Sequence, residues 1–283
     1  MTATEFTKSA HWENPEHKLF RYQVGFTGPP HDFDAGPSDF LRMAPRSVGV
    51  HGRLLHAPIY AHQLTQRVDN FGQLEEFVHC MANAGCDAVG QVGTNWVHAG
   101  GREAADIRDY IERVSTTYET PLFMAGMTLV DAVRELGAEK IALNSVYYWP
   151  DWRDGLARFL RSADLDVQYA GNFVDLGMLA NQEDCNDRHW CFPESFAVES
   201  VVRTAEHAPD AEVIVINGMA NFRRGDDGTD MAGLAERALH HIEAMEAAVG
   251  KPVVASDTTL YWALFRELGV TPTYGPGRLL SRL

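Results

Sequence analysis

Two apolar runs in this chain stop at small polar turns suited to holding an anion. The run 87–92 leads into Gly93-Thr94-Asn95, and the run 212–216 leads into Asn217-Gly218-Met219-Ala220. Hydroxyl, carboxamide and backbone N–H groups grouped this way can bind a carboxylate and stabilise negative charge that develops beside it. The same residues can instead do no more than satisfy the turn backbone. Asp32, Asp257, His31 and His98 fall at or just beyond strand ends. Two carboxylates in one pocket raise the pKa of at least one, giving a general acid or base. With His31 or His98 they could also hold a divalent cation. The plainer readings make Asp32 a turn residue, Asp257 a helix N-cap and His98 a surface side chain. Tyr147 offers a phenol to the same region, or packs beside Tyr148 and Trp149.

The cysteines invite a different chemistry. There are four, and the Cys185…Cys191 and Cys80…Cys86 spacings match no standard zinc motif. The polar stretch 181–193 reads as a long loop that could close over a cleft as a lid and bring Cys185, His189 or Cys191 with it. Arg223-Arg224, just after the second turn, reads as solvated, or as a charge for an anionic substrate.

These residues need strands and helices to place them. Strands are expected at 22–27, 47–55, 87–92, 121–124, 140–144, 166–169, 212–216 and 252–255. Helices are expected at 73–84, 102–115, 128–136, 154–162, 194–207, 233–249 and 260–268, several stopped by a glycine. The alternation gives an α/β class with mainly parallel sheets. The order repeats, which gives two similar Rossmann-like halves related by pseudo-two-fold symmetry. In such sheets a ligand lies beyond the carboxyl ends of the strands, here in the cleft between the halves. That rule gathers 28–32, 93–95, 145–147, 217–220 and 256–258 into one candidate site. The expected boundaries are a polar arm over 1–21, a first half over 22–127 with 252–283, and a second half over 128–251.

Composition narrows the partners. The chain has 283 residues and a formal net charge of −15, with its basic residues scattered. That argues against nucleic acid or an anionic membrane, and leaves a small anionic substrate open. No run is long enough to cross a bilayer, and the stretch 1–13 is polar with no signal-peptide core. With no disulfide framework, a cytoplasmic location is expected. Self-association is left open.

Several stretches resemble a known group. Gly250-Lys251-Pro252-Val253-Val254-Ala255-Ser256-Asp257, Leu260-Tyr261-Trp262-Ala263-Leu264 and the Tyr274-Gly275…Gly277-Arg278-Leu279 tail are similar to the closing segment of the maleate isomerase and arylmalonate decarboxylase branch of the aspartate/glutamate racemase superfamily. Gly93-Thr94 and Pro29-Pro30 look like the decarboxylase versions of two loops, and Tyr147 falls on a tyrosine of both enzymes. The resemblance runs from about Val24 to Leu280. It implies a cofactor-free lyase or isomerase acting on a small mono- or dicarboxylic acid, with no metal, through a carbanion or enediolate.

The resemblance also exposes a departure. The family places catalytic thiols at these strand ends, and this chain has Gly93 at one and Asn217-Gly218-Met219-Ala220 at the other. A thioether carries no transferable proton. The expected assignment is therefore Thr94, Asn95 and Tyr147 on the carboxylate, with Pro30, His31, Gly93 and Ser256 lining the site. The backbone of Gly218 and Met219 closes the hole, and Asp257, His98 or Asp32 acts as proton donor. The alternatives are a maleate cis-trans isomerase-like enzyme, a hydrolase or hydratase using Asp32, Asp257 and His31, and a non-catalytic carboxylate-binding homologue.

Overall fold

A computed structural model describes residues 15–29, 36–57, 59, 61, 63–145, 150–188, 190–218, 221–223 and 236–283. Of the expected site residues, Pro30, His31, Asp32, Tyr147 and Met219 lie outside the described residues, as does His189.

The first half runs β1 (Tyr22–Gly28), α1 (Gly36–Met43), β2 (Val48–Leu54), α2 (Leu64–Asp69), α3 (Gln73–Asn83), β3 (Ala88–Gln91), α4 (Ala104–Thr117), β4 (Leu122–Met124) and α5 (Ala125–Glu135). The second runs β5 (Lys140–Ser145), α6 (Pro150–Ser162), β6 (Asp166–Gly171), α7 (Glu183–Asp187), β7 (Cys191–Pro193), α8 (Ser195–His207), β8 (Val213–Asn217), β9 (Asn221–Arg223), α9 (Ala238–Val249), β10 (Val253–Ala255), α10 (Ser256–Leu268) and α11 (Gly277–Leu280).

Each half is built on a parallel four-stranded sheet, ordered β2-β1-β3-β4 in the first and β6-β5-β8-β10 in the second. Numbered within its own half, each sheet reads 2-1-3-4, so β3 and β8 are equivalent strands. Both are buried along their whole length, as parallel strands covered on two faces must be. The helices present apolar stripes to them. In α6, Trp152, Leu156, Phe159 and Leu160 recur at helical spacing and are buried.

Three of the expected boundaries change: α5, expected from 128 in the second half, begins at Ala125 straight after β4 of the first. The strand at 252–255 does not return to the first sheet, because β10 pairs with β8 of the second. The helix that follows it does cross over, packing α10 against α5, β3 and β4. Helix α10 is buried from Thr258 through Phe265, as expected of a helix caught between two layers. Thr128 of α5 and Thr259 of α10 share a hydroxyl hydrogen bond of 3.1 Å across that seam. Helix α9 starts at Ala238 and not at 233, because the Glu236 backbone pairs with Phe222 of β9 in both directions and so leaves the helical path.

The stretch 181–193 is not a plain loop. It forms α7 and β7, and β7 pairs in parallel with β9. Cys185 is buried there with Phe173 and Phe192 in the core of the second half. Among the described residues no helix is long and apolar enough to cross a membrane.

Candidate active site

Strands β3 and β8 both end in a glycine with a left-handed backbone, Gly93 at φ +95° and Gly218 at φ +123°. An L side chain rarely adopts that conformation, so glycine lets each chain turn sharply into the cleft. One cavity receives both ends. It is lined by Gly93, Thr94 and Asn95 from the first, by Gly218 from the second and by Ser256 and Asp257 just past β10, together with Arg67, Arg237 and Tyr261.

Thr94 and Asn95 open a short 3-10 turn, Thr94–Trp96. The amides at the start of such a turn have no carbonyl one turn back to bond. Thr94 is buried, and its hydroxyl donates to Asn217 Oδ1 across the cleft. That bond joins the two strand ends and occupies the Thr94 proton in this state. Asn217 Nδ2 is buried with no hydrogen-bond partner among the described residues.

Asn95 is braced from behind. His98 Nε2 lies 3.0 Å from Asn95 Oδ1, and the imidazole is 2% exposed. Burial, with Arg158 and Arg67 adding like charge, pushes its pKa down to about 3. The ring is therefore neutral. Nε2–H donates to Asn95 Oδ1, which leaves the Asn95 Nδ2 hydrogens for the cavity. Against α6, His98 takes the space that a side chain on Gly155 would fill, since a Cβ there would sit 2.5 Å from His98 Nδ1. His98 stands behind the cavity wall and not in it. It positions Asn95.

The cationic groups come from places that strand ends do not mark. Arg67 on α2 is 3% exposed, with its guanidinium 4.5 Å from the Trp152 ring centre and Nη1 donating to the Gln63 carbonyl at 3.0 Å. Arg237, 5% exposed, precedes α9, where its N–H donates to His240 Nδ1 at 3.0 Å. Among the described residues, two buried arginines against one aspartate give the cavity a positive balance inside a chain of charge −15. Such a site attracts small anions.

Asp257 sits in the first turn of α10, and Ala255 holds the N-cap position. The Thr258 N–H donates to Asp257 Oδ1 at 2.7 Å. Burial pushes the Asp257 carboxyl above its ordinary pKa. Arg237 and the Thr258 N–H pull the other way, and Asp39 adds to the rise. Asp39 on α1 is 1% exposed and paired with Arg42 at 2.9 Å. It is the described carboxylate that acts on Asp257, in the role expected of Asp32. Ser256, beside Asp257, also lines the cavity.

Among the described residues that line this cavity there is no cysteine. Cys185 lies in the core of the second half, where burial and then Asp184 raise its thiol pKa to about 11. The site can therefore bind a carboxylate, stabilise charge on it and exchange a proton through a carboxyl group.

Comparison with known proteins bears on the family and the fold. The family model described as arylmalonate decarboxylase matches residues 65–280. No functionally curated protein matches the chain. Among solved structures, an arylmalonate decarboxylase superposes with a TM-score of 0.70 at 21% identity, over 92% of this chain and 100% of the other. The maleate isomerase Iso from Pseudomonas putida S16 gives 0.68 at 17% identity, over 92% and 98%. A Nocardia farcinica maleate cis-trans isomerase bound to TRIS gives 0.64 at 17% identity, over 92% and 98%. These likenesses establish the fold, and the family match covers most of the length: the chain belongs to the arylmalonate decarboxylase family.

Proposed function

We propose that the protein is a lyase that decarboxylates a small malonate-type acid without a thiol, using Asp257 as proton donor. The observation that carries this reading is the placement of Asp257. Its carboxyl has a raised pKa and shares one cavity with Asn95, Gly93, Gly218 and two arginines. Asn95 Nδ2 and the loop amides hold the carboxylate that stays, helped by Arg67 or Arg237. The other carboxylate breaks its bond to the α-carbon and leaves as CO2. The electron pair spreads into the retained carboxylate as an enediolate, which the donors stabilise. The Asp257 O–H then gives its proton to the α-carbon, and water returns a proton to the carboxylate. The reading includes a cytoplasmic enzyme that needs no cofactor. Tyr147, Asp32, His31, Pro30 and Met219 remain proposed parts of the same site.

The second reading is an isomerase of maleate type, which the fold likeness supports. A cysteine-to-serine mutant of the Nocardia farcinica maleate cis-trans isomerase has been captured with a covalently bound succinylcysteine intermediate. The described lining of this cavity holds no cysteine, and a reaction that needs only a proton donor fits better.

The test uses purified protein with substituted malonates and, separately, maleate. CO2 release that survives alkylation of the cysteines and is lost in Asp257→Asn supports the lyase. Conversion of maleate to fumarate without CO2 supports the isomerase. Turnover abolished by alkylation would overturn the thiol-free mechanism.

A further inference from the structure

We propose that Glu194, Glu236 and His241 form a binding site for a divalent transition-metal ion, outside the cleft and separate from its chemistry. One ligand atom of each lies within 4.8 Å of the others. Glu194 follows β7 at the start of α8, Glu236 bridges to β9, and His241 sits in the first turn of α9. The site is thus assembled by three segments that meet around β9.

The histidine points to a ligand independently of the acids. His241 is 7% exposed, and among the described residues its Nε2 is buried without a hydrogen-bond partner. Yet Nε2 lies 3.1 Å from Glu236 Oε2. A buried imidazole nitrogen facing a carboxylate oxygen without hydrogen-bond geometry is an arrangement that a cation between them would satisfy.

Backbone hydrogen bonds tie the scaffold together. Phe222 and Glu236 exchange backbone hydrogen bonds of 2.7 and 2.8 Å, and the Glu194 N–H donates to the Arg223 carbonyl at 2.8 Å. The Phe222 ring meets the imidazole edge-on at 5.4 Å and holds its orientation. Metal–ligand bonds of about 2.0–2.2 Å leave ligand atoms roughly 3–4 Å apart, so the widest gap closes by a modest contraction. One imidazole with two carboxylates suits zinc or manganese, whereas calcium and magnesium prefer all-oxygen shells. Water would complete the shell. A bound ion would tie β7, β9 and the start of α9 together, one residue before Arg237 enters the cleft.

The test is calorimetric titration of the chelator-stripped full chain with Zn2+ and, separately, Mn2+. We expect one site in the wild type, weakened at least roughly tenfold in His241→Asn and in Glu236→Gln. His79→Gln, which removes an exposed histidine, should bind as the wild type does. A hundredfold excess of Zn2+ over its Kd should raise the wild-type Tm by roughly 5 °C and that of His241→Asn by no more than about half as much. Two results would overturn the proposal: no binding of either ion to the wild type, or unchanged binding in His241→Asn and Glu236→Gln. The wild-type titration decides the question alone if a variant does not fold.

Discussion

In the first half, β4 runs straight into α5 through Met124-Ala125-Gly126; in the second, β10 runs into α10 through Ala255-Ser256-Asp257. The two junctions are equivalent in the repeated topology, and both reach the cavity, through Ala125 and through Ser256 and Asp257. Gly126 stands where the second half has Asp257. A Cβ on Gly126 would lie 2.3 Å from Val97 Cγ2 and 2.8 Å from the Thr94 carbonyl. The loop that binds on the first side thus leaves no room for an acid there. On the proposed reading, a symmetric scaffold carries one-sided acid–base chemistry, with a carboxyl at the second junction and none at the first. A racemase needs an acid–base group on each face of the substrate, whereas a decarboxylase needs one.

The strongest break of that asymmetry is Asp257→Asn. Loss of a general acid costs about 10²- to 10⁴-fold in turnover. The same change should raise stability. A carboxyl whose folded pKa lies above its unfolded value favours the fold only at low pH, and that contribution is lost as pH rises through the folded pKa. Asp257→Asn should therefore melt above the wild type at neutral pH, with the gain shrinking toward pH 3. Steady-state kinetics and thermal scans across pH check both effects.

Arg237→Met removes the cation that opposes the rise of the Asp257 pKa. Losing one charge-assisted contact should weaken dicarboxylate binding roughly 10- to 100-fold. The pH–rate profile should shift upward, because Asp257 then holds its proton more firmly. Gly126→Ala tests the crowded junction from the other side. Overpacking should destabilise by about 1–3 kcal/mol in denaturant titrations and displace Thr94.

An effect that vanishes at neutral pH concerns the brace behind Asn95. Folded His98 titrates near 3 and the free side chain near 6.5, so the unfolded chain binds a proton in that window that the folded chain refuses. Stability is complete above pH 6.5 and falls toward pH 3, by up to about 1.4 kcal/mol per pH unit. His98→Gln should flatten that slope in urea titrations while still offering Asn95 a donor.

The alternation of strands and helices made the two parallel sheets readable, and the strand-end rule gathered Gly93, Thr94, Asn95, Gly218, Ser256 and Asp257, which line one cavity. Other features carry no local signal. Arg67 and Arg237 look like any surface arginine until tertiary packing buries them. Arg67 also rides on a helix of six residues, too short to show a period. The sheet to which β10 belongs is set by pairing with β8, which residue pattern does not encode. Gly155 meets His98 only through tertiary packing, so His98 read as a group near the cleft and not as a brace behind it.

The central claim is that this cleft holds a carboxylate on one side and offers it a carboxyl proton from the other. A crystal structure with a substituted malonate bound tests it most directly. One carboxylate is predicted on Asn95 Nδ2 and the amides of the two strand ends, with an Asp257 carboxyl oxygen roughly 3–3.5 Å from the α-carbon. A ligand whose α-carbon faces a different titratable group, with Asp257 turned away, would contradict the account.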